Sequence, residues 1–153
     1  MQCQHSEYPS LSETPHKVLI LKSRHTLILQ RRGHDLKTYD VALGRGGLSP
    51  KRQRGDHRTP EGSYLIDLKR DPSRFYRALK ISYPSKPDLE NALHLGVEPG
   101  GEIEIRGLPP WLSWLGPVQH LVDWTDGCIA VSNGEIDEIW PLVEVGTPVE
   151  IRH

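Results

Sequence analysis

Cys128 stands in the run Asp123-Trp124-Thr125-Asp126-Gly127-Cys128-Ile129-Ala130-Val131-Ser132-Asn133, directly after a glycine and ahead of a short apolar stretch. Ser132 followed three residues later by Glu135 fits a capping box, so a helix is expected to start there. A thiol in a tight turn leading to a helix can have exposed sulfur and nearby backbone N–H groups. That combination lowers a cysteine pKa and cradles an oxyanion. The same spacing also suits a small buried apolar residue in a glycine turn, because free cysteine is often buried. Spacing alone leaves both readings open.

A cysteine nucleophile needs a base, usually histidine. His120 lies eight residues before Cys128, with Asp123 between them to orient an imidazole. His94 falls late in a short expected helix, while His25, His34 and His57 lie further back. No C-x-x-C, H-E-x-x-H or close histidine pair is present, so neither a metal nor another cofactor is expected.

The elements that must position these groups read as mainly β. Short apolar or alternating runs at 17–22, 25–30, 36–43, 63–68, 78–83, 102–106 and 147–152 predict strands. Pro87 and Gly96 bracket a short helix, and another follows Ser132. Residues 111–121, with two tryptophans, suit a short helix or a lid; the tryptophans before Cys128 would either wall a cleft or pack in the core. The fold expected is a β-sandwich or partly open barrel with two or three short helices. A polar leader is expected over 1–16 and one domain over 17–153.

Composition bounds the function. At 153 residues, 36% hydrophobic, with 14 glycines and 13 prolines, the chain can bury a core without staples and is rich in turns. A net charge of −1 gives no general argument for nucleic acid or an anionic membrane. The loop at 45–58 is locally cationic through Arg45, Lys51, Arg52, Arg54 and Arg58, but lacks interleaved aromatics. No nucleic-acid partner is expected. No apolar run is long enough to span a membrane, and no export signal stands at the N-terminus as given. Cys3 and Cys128 are read as free thiols.

The Cys128 run, together with Gly55-Asp56-His57-Arg58-Thr59-Pro60-Glu61-Gly62 and Ile81-Ser82-Tyr83-Pro84, resembles the L,D-transpeptidase (YkuD-type) catalytic domain of bacterial cell-wall enzymes. It looks most like the branch with a tryptophan before the Ser/Thr-x-Gly-Cys signature, and the likeness runs from about residue 17 to 152. The resemblance implies a cysteine that is acylated at the L-centre carbonyl of a diaminopimelate residue, expels D-alanine, and passes the acyl group to an amine or to water. Carried across, Cys128 is the nucleophile. Thr125, Asp126 and Gly127 shape the turn and its oxyanion hole, and Arg106, Gly107 and Trp124 contact substrate. The implied partner is the peptide stem of peptidoglycan, bound by a monomer in the periplasm or cell wall.

One position departs from the pattern. The family's catalytic histidine stands in an Ile-His-Gly step, and the matching step here is Ile105-Arg106-Gly107. Arginine stays protonated in proteins and cannot take a thiol proton, although its charge can favour a thiolate. With arginine there, His120 is the residue expected to act as base.

Overall fold

The computed structural model describes residues 14–153, so Cys3 and most of the expected leader lie outside the described residues. Eight strands form one sheet: β1 Lys17–Leu21, β2 Thr26–Arg31, β3 His34–Asp40, β4 Gly62–Ser73, β5 Tyr76–Ile81, β6 Glu104–Arg106, β7 Ile129–Ala130 and β8 Pro148–Arg152. Their order is β3-β2-β1-β8-β4-β5-β6-β7. The two ends of that order meet through isolated bridges, Ala42 with Ala130 and Gly44 with Thr125. The sheet therefore curls towards a barrel without closing into one. The expected mainly β architecture is present, and of the two forms expected it is the partly open one, a single continuous sheet.

Alternation explains the wet and dry faces of the longest strand. Tyr64 and Ile66 of β4 are buried while Leu65 between them is exposed; Leu68 is exposed because the register shifts between Ile66 and Leu68. Central β1 and β2 read differently because both faces are covered: Val18, Leu19 and Ile20, then Leu27, Ile28 and Leu29, are all buried. Val18, Ile20, Leu27 and Leu29 join Leu79, Ile81, Ile105, Ile129, Val149 and Ile151 in one core.

Two α-helices carry the caps their sequences announce. In α1, Lys86–Leu95, Ser85 accepts from the Asp88 N–H while Asp88 accepts from the Ser85 N–H, and Gly96 takes the left-handed φ of 70° at the end. In α2, Asn133–Leu142, Ser132 and Glu135 make the same reciprocal pair, and Ile136 and Ile139 point into the core. The 111–121 stretch forms 3-10 turns over Pro110–Leu121, interrupted at Gly116 with φ 54° and ψ −139°. Of the three tryptophans before Cys128, Trp111 and Trp114 are 69% and 77% exposed and lie outside the core, while Trp124 stands against Arg106.

The cationic loop is tied down by its one internal carboxylate. Asp56 accepts from the backbone N–H groups of Arg52, Gln53 and Arg58 and from Lys51 Nζ. Burial works to raise the Asp56 pKa, but these donors outweigh it and hold the carboxyl below its usual range. Arg45 and Arg54 pair with Asp126 and Glu98. Beneath the loop, fully buried Lys22 donates to Thr59 O at 2.5 Å and lies 3.3 Å from Glu61 Oε2. A buried ammonium persists only with such partners, and burial still pulls its pKa down.

Candidate active site around Cys128

The turn that carries Cys128 is built by one hydroxyl. Buried Thr125 donates from Oγ1 to the Cys128 carbonyl at 2.7 Å and accepts at Oγ1 from the Gly127 N–H at 3.1 Å. The same residue is fastened to the far end of the sheet, since its N–H donates to Leu43 O and its O accepts from Arg45 N–H. Gly127 has φ 131°, and a Cβ there would meet Arg58 O at 2.7 Å. Only glycine meets both demands. The Thr59-Pro60-Glu61-Gly62 segment belongs to the same arrangement, because Thr59 Oγ1 accepts from Gly44 N–H at 3.1 Å.

Cys128 lies at the edge of a cleft of about 470 Å³, whose lining includes Arg70, Arg74, Phe75, Glu102, Glu104, Arg106 and Asp126. The residue is 6% exposed, and its sulfur donates to Glu102 O at 3.5 Å. Burial pushes the thiol pKa up, against the pull of the Arg106 charge and the Glu104 backbone N–H. The sequence left an exposed, acidified thiol and a small buried one both open; the structure has the buried one. Burial dominates because the short apolar run Ile129-Ala130-Val131 is itself wholly buried and draws the cysteine in with it.

Arg106 reaches the cleft through strand register. Arg70 of β4 pairs with Ala78 of β5, and Ala78 pairs with Arg106 of β6, placing two arginines on one face across a small residue. The Arg106 guanidinium stacks over Phe75 with its carbon 3.4 Å from the ring centroid and 5.4 Å from that of Trp124. Trp124 is held by its Nε1–H, which donates to Gln119 Oε1 at 2.7 Å. Gly107 lies directly under Asn133, whose Oδ1 would be 2.6 Å from a Cβ there and accepts from Leu108 N–H. Beside them, Glu104 is buried against Arg70 at 2.5 Å; burial raises its pKa, and Arg70 and Arg106 oppose the rise.

Cys128, Arg106 and Asp126 are thus brought to one cleft, with Thr125, Gly127, Gly107 and Trp124 packed around it. His120 is not. Its Nδ1 faces Pro117 O at 2.6 Å and its Nε2 lies 3.8 Å from Asp40, outside the cleft lining. Asp123 does not orient it either: Asp123 Oδ2 meets His25 Nε2 at 2.9 Å, and Oδ1 accepts from Leu43 N–H. The irregular 3-10 path with its break at Gly116 turns His120 away from the site. Arg70, Arg74, Phe75, Glu102 and Glu104 went unrecognised in the sequence. The only signal was a charged, aromatic hairpin tip, Arg74-Phe75, between the paired Ser73 and Tyr76.

Comparison with known proteins assigns a family to the chain. The family model described as the L,D-transpeptidase catalytic domain, YkuD, matches residues 15–151. The Escherichia coli K12 protein named "Putative L,D-transpeptidase YafK" is 33% identical, with the match covering 87% of this chain and 49% of that protein. The chain therefore spans about half the length of the curated relatives it matches. Among solved structures, the helical cell shape determining protein Pgp2 from Campylobacter jejuni superposes with a TM-score of 0.68 at 24% identity, over 90% of this chain and 47% of that one. An L,D-transpeptidase from Xylanimonas cellulosilytica gives 0.60 at 16% identity, over 94% and 63%. At those identities the structural likeness speaks for the fold alone.

Proposed function

The chain belongs to the L,D-transpeptidase (YkuD) catalytic-domain family, and from that premise we propose that it binds peptide stems of peptidoglycan in the cell envelope and accepts their acyl group on Cys128. The observation that carries this reading is the Thr125-to-Cys128 turn, which fixes a thiol in the wall of the cleft of about 470 Å³. In the proposed step the sulfur bonds to the carbonyl carbon at the L-centre of diaminopimelate. The amide bond to D-alanine breaks, and the thiol proton leaves on the D-alanine amine. An amine or water then takes the acyl group from the thioester, so cross-linking and hydrolysis share this first half.

Among the described residues no imidazole lines the cleft, and Arg106 cannot relay a proton. General acid–base help is worth about 10²–10⁴ in rate, so the proposed acylation is slow by that margin. D-alanine release from a disaccharide-tetrapeptide, absent in Cys128→Ala, supports the reading; equal release by that variant refutes it.

A second reading is favoured by Arg106 itself, which is sealed over Phe75 where a base would stand. In that reading the domain is a stem-binding relative without turnover. Stem binding with no D-alanine release selects it.

A further inference from the structure

We propose that Arg74 and Arg106, gathered on the Phe75 ring, form a carboxylate-binding site in the cleft beside Cys128, so that the ligand presents a free carboxyl group next to the sulfur. The charged groups of the cleft divide into committed and uncommitted ones. Arg70 is taken by Glu102 at 3.2 Å and Glu104 at 2.5 Å, and Asp126 by Arg45 and His57 at 3.2 Å each. Arg74 and Arg106 make no ion pair with any described residue. Their guanidinium carbons lie 5.6 Å and 3.4 Å from the same Phe75 centroid, and both residues line the cleft.

Arg106 is only 7% exposed, and its Nε is buried without an acceptor. A nearly buried guanidinium without an ion-pair partner is costly, and the carboxylate whose pKa its charge lowers, Glu104, is already bound by Arg70. An anion held in the cleft offsets that cost. A planar carboxylate matches the guanidinium fork, and the apolar wall of Phe75 and Ile103 would strengthen the pair by excluding water. Glu102 and Glu104 at the same cleft disfavour a more highly charged anion such as a phosphate. The site rests on the stem-binding reading for the source of its ligand, a peptide with a free carboxyl group, but its chemistry can be tested without a stem.

The first arm follows the arginine Nε–H signals by NMR in Cys128→Ala protein as N-acetyl-alanine or N-acetyl-alaninamide is added. The acid should shift the Arg106 signal saturably at concentrations on the order of 10 mM, and the amide should not. Arg74→Gln, an exposed position that leaves the core intact, should weaken the acid about tenfold, the scale of one charge-assisted hydrogen bond. Equal shifts with acid and amide, no saturable shift, or no effect of Arg74→Gln overturns the site. The second arm compares a disaccharide-tetrapeptide with its C-terminal carboxamide by calorimetry. Equal binding of the two overturns the carboxylate site and leaves stem binding standing. Binding of N-acetyl-alanine without binding of either stem keeps the site and removes the stem reading.

Discussion

The sulfur of Cys128 lies 3.5 Å from the carbonyl oxygen of Glu102, an acceptor that only the protonated thiol can donate to. The backbone N–H of Glu104 and the Arg106 charge pull the other way, and burial prevails over both. Because the pKa is raised, the reactive thiolate is scarce at neutral pH and accumulates only above the range of an ordinary cysteine. Iodoacetamide alkylation in a Cys3→Ser background is expected to lag free cysteine at pH 7.5 and climb with pH through a higher midpoint. Arg106→Ala should push that midpoint higher still, since it deletes the largest influence favouring the thiolate. A midpoint below that of free cysteine would contradict the assignment.

The turn should be intolerant at two positions for different reasons. Thr125→Val leaves the Gly127 N–H without its acceptor in a buried site and deletes the bond to Cys128 O, a loss of about 2 kcal/mol, with Thr125→Ser retaining most of it. Gly127→Ala meets both the φ of 131° and the 2.7 Å approach to Arg58 O, costing about 3 kcal/mol. Urea unfolding of the three variants measures both effects. An unchanged midpoint for Gly127→Ala would mean the turn is held less tightly than its contacts imply.

Lys22 is a strut under the Thr59-to-Gly62 turn that backs Gly127. Lys22→Met removes its bond to Thr59 O and leaves the partly buried Glu61 carboxylate without its cation, and should cost about 3 kcal/mol. Because burial lowers the lysine pKa from 10.5, the unfolded chain holds that proton more tightly than the folded one. Its contribution therefore makes stability rise with pH between the lowered value and 10.5, a slope that Lys22→Met should abolish. Thermal melts across that window, comparing the two proteins, are the check.

His120 contacts Pro117 O and Asp40 and stands apart from the cleft lining. His120→Ala is expected to leave D-alanine release and thiol alkylation within about twofold of the parent, well short of the 10²–10⁴ that general acid–base help supplies. A hundredfold loss would return it to the proton's path.

What could be read in the sequence was what depends on near neighbours. The Ser132–Glu135 capping box, the glycine turn before Cys128 and the helix between Pro87 and Gly96 each need only a few consecutive residues, and all are present. The two-residue strand β7 was too short to alternate, and the long β4 hid beyond Leu68 among charged residues that keep its end in water. The cleft depends on registers between distant strands. Arg70 and Arg106 meet through Ala78, and Arg74 and Phe75 come from a hairpin tip, which no local spacing announces. Spacing left the cysteine's burial open for the same reason, because its contact with the Glu102 carbonyl joins residues 26 apart in the chain.

The most direct measurement is the intact mass of the protein after incubation with disaccharide-tetrapeptide, beside Arg106→His and Cys128→Ala, all carrying Cys3→Ser. A slowly formed adduct equal to the stem less D-alanine is expected on the parent protein. It should form about a hundredfold faster in Arg106→His and be absent in Cys128→Ala. An adduct on Arg106→His alone, with the parent unmodified at every time point, would contradict acyl transfer by this chain and leave stem binding as its function.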